Sequence, residues 1–234
     1  MLKKYIKGLF QFFGISVRRY IPPSYGWIYA RNITAVLDIG ANTGQYALAI
    51  SKILPESKIY SFEPIKKCYD DLIINTEKLN IETFNFALGE NEYETEINVS
   101  SHSPSSSLLR MTDLHKKLYS HTKNFTVEKI SVKALDQIAH DLNISKENYL
   151  VKIDAQGFED KIIKGGYNTI KNAQIIQVEM TYQELYEGQP LFDNIYQVLN
   201  EMGFDFSGNI SQVYNPDTGE LVYSDSIFLR TQLK

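Results

Sequence analysis

The segment Val36–Pro64 reads VLDIGANTGQYALAISKILPESKIYSFEP. A β-branched apolar run, Val36–Ile39, meets a turn of small residues, Gly40–Gly44. An amphipathic stretch, Gln45–Ile53, follows and stops before Pro55, and a second apolar run, Lys58–Phe62, leads to the acid Glu63. Strand, tight turn, helix and strand in about thirty residues is the signature of a right-handed crossover on a parallel sheet. The pattern continues with a helix over Lys66–Leu79 and a third strand over Thr83–Ala87.

After Ala87 the rhythm changes. Glu94–Val99 and Thr126–Val132 alternate as antiparallel strands do, and the serine-rich stretch SSHSPSSSLLR lies between them. The α/β order resumes with a short helix from Leu135, a strand at Leu150–Ile153 and a helix ending at Gly165-Gly166. A strand at Ile175–Glu179 and a helix at Phe192–Met202 come next. Short strands at Phe204–Phe206, Gln212–Tyr214 and Ser226–Leu229 close the chain, with a turn at Asp217–Gly219. The expectation is an α/β fold, a doubly wound and mostly parallel seven-stranded sheet. A small antiparallel insertion follows the third strand, all within one domain spanning 31–234.

Bulk composition bounds the chemistry. Of 234 residues, 43% are hydrophobic and 22% charged, as in ordinary globular domains, and the net charge of -4 gives no reason to expect nucleic acid as a partner. Cys68 is the single cysteine, so no intramolecular disulfide can form and a reducing, cytoplasmic setting is expected. Residues 1–30 form a separate extension. Lys3, Lys4, Lys7, Arg18 and Arg19 flank Leu9, Phe10, Phe12, Phe13 and Val17, a stretch without the clean apolar run of a signal peptide or a membrane span. It reads as a covering helix, or as a basic, aromatic segment (residues 1–20) resting on the inner face of an anionic membrane.

The turn itself speaks against a dinucleotide. A dinucleotide loop needs three glycines so that a pyrophosphate can lie on the backbone, whereas Ala41, Asn42 and Thr43 fill the middle here. Asp38, two residues before Gly40, would repel a diphosphate and suits a cationic ligand. Glu63 ends the second strand, where an acid accepts hydrogen bonds from both ribose hydroxyls. Cation and ribose together describe S-adenosylmethionine, which leaves S-adenosylhomocysteine as product. Alternatively, the glycines merely make a tight turn and Glu63 opens a helix.

Several segments resemble, in order, the FkbM-family methyltransferases: VLDIGANTGQYA, YSFEP, NFALG, SSSLL, SVKALDQI, VKIDAQGFEDKIIKGG and IIQVE. The resemblance runs from about Val36 to the C-terminus, and Ala155-Gln156 departs from the Val-Glu or Val-Gln pair usual there. It implies a class I methyltransferase acting mostly on hydroxyls of sugars and natural products. The acceptor expected is a sugar of a surface polysaccharide, glycolipid or glycosylated natural product. O- or N-methylation of another small metabolite, or a non-catalytic nucleotide-binding scaffold, are the alternatives.

Methyl transfer to a hydroxyl needs alignment and a base, the latter contributing about 10²–10⁴-fold. Asp154, at the end of its strand, is the first candidate base, or else a cap or a cofactor contact; Glu179, ending the strand IIQVE, and His102, in the serine-rich insertion, are the others. Glu159 reads as a first-turn helix carboxylate. The cofactor set expected is Asp38, Gly40, Ala41, Asn42, Gly44, Glu63, Pro64, Ala87, Ser107 and Asp154. Gln156, Tyr182 and Tyr186 are the expected acceptor contacts, the two tyrosines being alternatively ordinary i, i+4 helix packing. If Asp154, Glu179 and His102 converge, hard oxygen ligands for a divalent cation result, although the spacing does not demand a metal.

Overall fold

Buried apolar strands joined by short amphipathic helices build the first half of the chain. The structure, a computed structural model, describes residues 26–100, 105–119 and 125–231. It divides into two units, Met1–Ala30 and Arg31–Lys234. In the first, only a single helical turn, Gly26–Tyr29, is described.

The second unit opens with β1 (Ala35–Ile39), α1 (Gln45–Ile53), β2 (Lys58–Phe62), α2 (Lys66–Thr76) and β3 (Ile81–Phe84). All of β1 and all but the first residue of β2 are buried, as strands covered on both faces must be. α1 stops at Leu54, because a residue before proline disfavours the helical region. The third strand ends earlier than its apolar run. Asn85 Nδ2 donates to the carbonyls of Glu63 (3.0 Å) and Pro64 (2.9 Å), and the chain leaves the sheet there. Ala87–Gly89 forms instead a short β4 in a second sheet.

That second sheet has the order β4-β6-β5, with β5 (Tyr93–Ser100) antiparallel to β6 (Phe125–Ala134) and β4 parallel to it. The antiparallel insertion thus carries one parallel strand as well. A short α3 (Asp113–Leu118) lies between β5 and β6. The main sheet resumes through α4 (Leu135–Ala139), β7 (Tyr149–Ile153), α5 (Glu159–Gly165), α6 (Tyr167–Asn172) and β8 (Ile175–Thr181). It ends with α7 (Phe192–Glu201), β9 (Phe204–Tyr214) and β10 (Leu221–Arg230). The last two are one long hairpin rather than three short strands. The Gly219 N–H bond to Asn215 O closes its turn.

Seven strands form the main sheet in the order β3-β2-β1-β7-β8-β10-β9, and only β10 runs against the rest. Register decides what gathers at its carboxyl edge. Ser61, Asp38, Lys152 and Gln177 sit side by side across β2, β1, β7 and β8, and Glu179 faces Asp225 across β8 and β10. Residues two apart on a strand share a face, so Asp154 and Glu179 extend the same polar row. The alternate positions Leu37, Ile39, Val151, Ile153, Ile176 and Val178 face the other way. They form the core with side chains of α4, α5, α6 and α7.

Candidate active site

The loop after β1 has a job for each unusual residue. Gly40 has φ +75°, and a Cβ there would lie 1.9 Å from the Asp154 carbonyl oxygen, so only glycine lets β1 and β7 end side by side. Gly44 (φ +91°) serves packing: a Cβ would meet Leu72 Cδ1 of α2 at 2.9 Å. Between them Asn42 takes the left-handed conformation (φ +49°) at the place of a glycine-rich loop's middle glycine, which asparagine tolerates better than most residues. This turns its N–H toward Glu63 Oε2 at 2.8 Å, while Glu63 Oε1 accepts from Ile65 N at 2.9 Å. Each carboxylate oxygen keeps one acceptor direction for a ligand hydroxyl. Burial pushes the Glu63 carboxyl up to about 7, against the lowering effect of these two N–H groups.

A cavity of about 500 Å³ opens over this loop, within the usual range for small-ligand sites. Its walls include Gly40, Ala41, Asn42, Glu63, Pro64, Ala87, Ser107, Asp154, Gln156 and Glu179 from the expected set. Ser107 Oγ donates to the Gln156 carbonyl (2.6 Å) and accepts from Leu109 N (3.0 Å), which ties the serine cluster to the loop after β7. Glu159 lies under that loop, almost fully buried, with Oε1 accepting from Ala155 N (2.9 Å) and Gly157 N (3.2 Å). Burial pushes its carboxyl up to about 7 as well.

Lys152 was not among the expected site residues. Its ammonium donates to the carbonyls of Ile39 (3.2 Å) and Gly40 (2.8 Å) and lies 3.4 Å from Asp38 Oδ1 and 3.6 Å from Asp154 Oδ2. Desolvation alone would lower the lysine, but Asp154 and Asp38 outweigh it and the net shift is upward. Asp38 is completely buried, and burial raises it even though Lys152 pulls the other way. The signal for Lys152 was present in the sequence. A lysine in the middle of a fully buried strand is tolerated only with a partner.

Beyond Lys152 stand two carboxylates bridged by one amide. Gln156 Nε2 donates to Asp154 Oδ1 (2.8 Å) and to Glu179 Oε1 (3.1 Å). Desolvation, then repulsion from Asp154 and Glu159, holds Glu179 well above the usual carboxylate range. Asp225 joins from β10, also raised by burial.

Four expected contact residues lie off the cavity wall. Asp38 sits behind it, and the cation it faces is the chain's own Lys152 rather than a ligand. Gly44 faces α2. Tyr182 stacks on Phe192 (centroids 5.1 Å) and shares a hydrogen bond with Ser224, on another side of β8 and β10. Tyr186 is buried behind Gln156. Their segment is an irregular loop, not a helix, so i, i+4 spacing does not place both rings on one face. The tyrosines on the cavity wall are Tyr46, Tyr119 and Tyr223, with Phe62 and Phe158 beside them. His102 and residues 1–20 lie outside the described residues. Among the described residues no three His, Cys, Asp or Glu side chains are placed to hold a metal ion, and no helix is long and apolar enough to cross a membrane.

Residues 38–206 match the methyltransferase FkbM domain, well over half of the chain. The chain belongs to the FkbM methyltransferase family. A similar protein is the 2-O-methyltransferase NoeI of Sinorhizobium fredii, 25% identical over 161 residues, 66% of this chain and 66% of that one. Methyltransferase 1 of Beauveria bassiana is 23% identical over 142 residues, 56% of this chain and 57% of its own. The chain thus spans less than two thirds of the length of either relative. Among solved structures, the magnesium protoporphyrin IX methyltransferase (ChlM) of Synechocystis PCC 6803, with bound SAM, has a TM-score of 0.47 at 9% identity, covering 89% of this chain and 76% of its own. The cofactor that membership of the FkbM methyltransferase family implies is S-adenosylmethionine. The residues fit it: Glu63 has an acceptor direction to spare on each oxygen, and the loop at Gly40–Asn42 presents backbone to the cavity. Lys152, Asp154, Gln156 and Glu179 lie inside the matched FkbM segment, whereas Tyr223 and Asp225 come from the hairpin beyond it.

Proposed function

We propose that this protein transfers a methyl group from S-adenosylmethionine to a hydroxyl oxygen of a sugar, in a surface polysaccharide, a glycolipid or a glycosylated natural product. The observation that carries the reading is the Asp154–Gln156–Glu179 cluster, which shares one cavity with the Glu63 loop. Bound there, the cofactor supplies an electrophilic methyl group. Glu63 receives the ribose, and the main chain of Gly40–Asn42 supports the rest of the donor.

Asp154 takes the hydroxyl proton. Its side chain is 34% exposed on the cavity wall, where an acceptor hydroxyl can reach it, and the Lys152 ammonium lies 3.6 Å from its Oδ2. Glu179, deeper and raised by burial and by its acidic neighbours, orients the acceptor. Tyr119 and Tyr223 offer the flat faces and hydroxyls that suit a pyranose. The name of the rhizobial relative, a 2-O-methyltransferase, supports oxygen as the atom methylated. Asp154, Glu179 and Asp225 outnumber Lys152, whose ammonium is already engaged, so the acceptor is uncharged or cationic where it meets them. The lone, buried Cys68 supports a reducing, cytoplasmic setting, with residues 1–20 as the part that would rest on the inner face of a membrane.

Calorimetry with S-adenosylmethionine, followed by S-adenosylhomocysteine release from a panel of methyl glycosides, tests this. Binding is expected, with neutral glycosides turned over at least tenfold faster than the matching uronic acids. Absence of binding at millimolar cofactor, or equal use of uronic acids, would refute the reading.

A further inference from the structure

We propose that Gln156 is the positioning residue of the Asp154–Glu179 pair, and that Tyr186 locks its amide in the one orientation that can serve; this rests on the methyl-transfer reading above. The backbone is the first sign. Gln156 sits at φ +52°, a region costly for a residue with a long side chain, and it is held there by Ser107 Oγ on its carbonyl at 2.6 Å. The second sign is that the amide is fully spent. Both Nε2 protons go to carboxylates, at 2.8 and 3.1 Å, and Oε1 accepts from the Tyr186 hydroxyl at 2.9 Å.

The chain has a direction. A tyrosine hydroxyl has one proton, and here it points to Gln156 Oε1, the shorter of its carbonyl contacts; Ser105 O is 3.3 Å away. His115 Nε2, 3.3 Å from the same hydroxyl and buried with it, is then the donor, in the tautomer with hydrogen on Nε2. Hydrogen bonds therefore run from His115 to Tyr186 to Gln156 and fan out onto the two acids. A flipped amide would set its oxygen against two carboxylates and its nitrogen against a donor. Tyr186, expected to stack on the acceptor, instead keeps this from happening, and Gln156 spends its amide on the acids rather than on the acceptor.

Two acids that share a site titrate as a coupled pair, and a donor fixed between them biases how the pair divides its roles. The amide supplies that donor to both. The other charged or titratable groups around the pair are Lys152 and Asp38 from the central strands, Glu159 from α5, and Asp225 and Tyr223 from β10. Tyr119 and His115 join them from the α3 segment. None of these stands between Asp154 Oδ1 and Glu179 Oε1 as Gln156 Nε2 does.

The test compares wild type with Tyr186→Phe, Gln156→Leu and Gln156→Glu, each saturated with S-adenosylhomocysteine. Carboxyl ¹³C titration of Asp154 and Glu179 is read beside kcat and KM against pH. Removing the donor, or adding a third carboxylate, moves the titration of the pair and the acid limb of kcat upward by about one pH unit. In Tyr186→Phe, kcat falls about tenfold while the affinity for S-adenosylhomocysteine stays within about threefold. Titrations and acid limb unchanged in all three variants would overturn the proposal, whatever happens to kcat. Shifted titrations in a protein that transfers no methyl group would uphold the positioning role and refute the reaction assigned above.

Discussion

Replacing Lys152 by methionine isolates the electrostatics of the sheet edge, because the apolar stem is kept and only the ammonium is lost. The consequence falls on Asp38. Its Oδ1 makes no hydrogen bond, its Oδ2 has only Ser61 Oγ at 3.3 Å, and the ammonium at 3.4 Å is the compensation for a carboxylate with no exposed surface. Stranding one member of a buried pair costs about 3–5 kcal/mol. The Ile39 and Gly40 carbonyls lose their lysine donor at the same time, so about 4 kcal/mol is expected for Lys152→Met. With a slope of about 2 kcal/mol per molar urea, the unfolding midpoint falls by about 2 M. Asp38→Asn added to Lys152→Met should recover at least half of that loss, since the stranded charge is then gone. The loss should also shrink as pH falls, because a protonated Asp38 needs no cation. Equilibrium urea unfolding by circular dichroism at pH 5.5 and pH 8 measures all three. A loss under about 1 kcal/mol for Lys152→Met, or a double variant no more stable than the single one, would refute the reasoning.

Three further outcomes follow from the same geometry. Gly40→Ala puts a methyl group on the Asp154 carbonyl at a backbone angle alanine avoids, so a loss of more than about 3 kcal/mol is expected. A melting temperature within about 2 °C of wild type would contradict the close approach of β1 and β7. Glu63 and Glu159 are each raised from 4.5 to about 7 by burial. Between these values the folded chain holds protons that the unfolded chain has released, so stability falls as pH rises from about 4.5 to about 7 and levels off above. Ionised Glu63 is the better ribose acceptor. The affinity for S-adenosylhomocysteine should therefore rise from pH 6 to pH 8, and Glu63→Gln should abolish that rise; a pH dependence surviving in Glu63→Gln would assign it elsewhere.

The order of strands and helices was legible in the residues themselves, because it rests on local periodicity and turn chemistry. Gln45–Ile53 and Lys58–Phe62 come out with the boundaries their patterns imply. So does the gathering of Asn42, Glu63, Asp154 and Glu179 in one cavity, since residues at the carboxyl ends of adjacent parallel strands must meet. What local pattern could not decide is which way each side chain faces and what it meets there. Ala87 left the main sheet because Asn85 pinned the end of β2. Tyr182 and Tyr186 parted because their segment is a loop, and Tyr119 and Tyr223 took the wall from elements more than a hundred residues apart. Asp38 was read for a ligand's cation and met Lys152, a partner brought by strand register across 114 positions of sequence (152 minus 38). Gln156 was read as touching the acceptor, and its amide is consumed by two acids and a tyrosine. Sequence alone determined the Gly40–Gly44 turn, because its residues are contiguous and shape it through the backbone. Only the tertiary structure decided the charge arrangement of Lys152, Asp154, Glu179 and Asp225 at the cavity, because it is a property of side chains that meet only where separate strands end together.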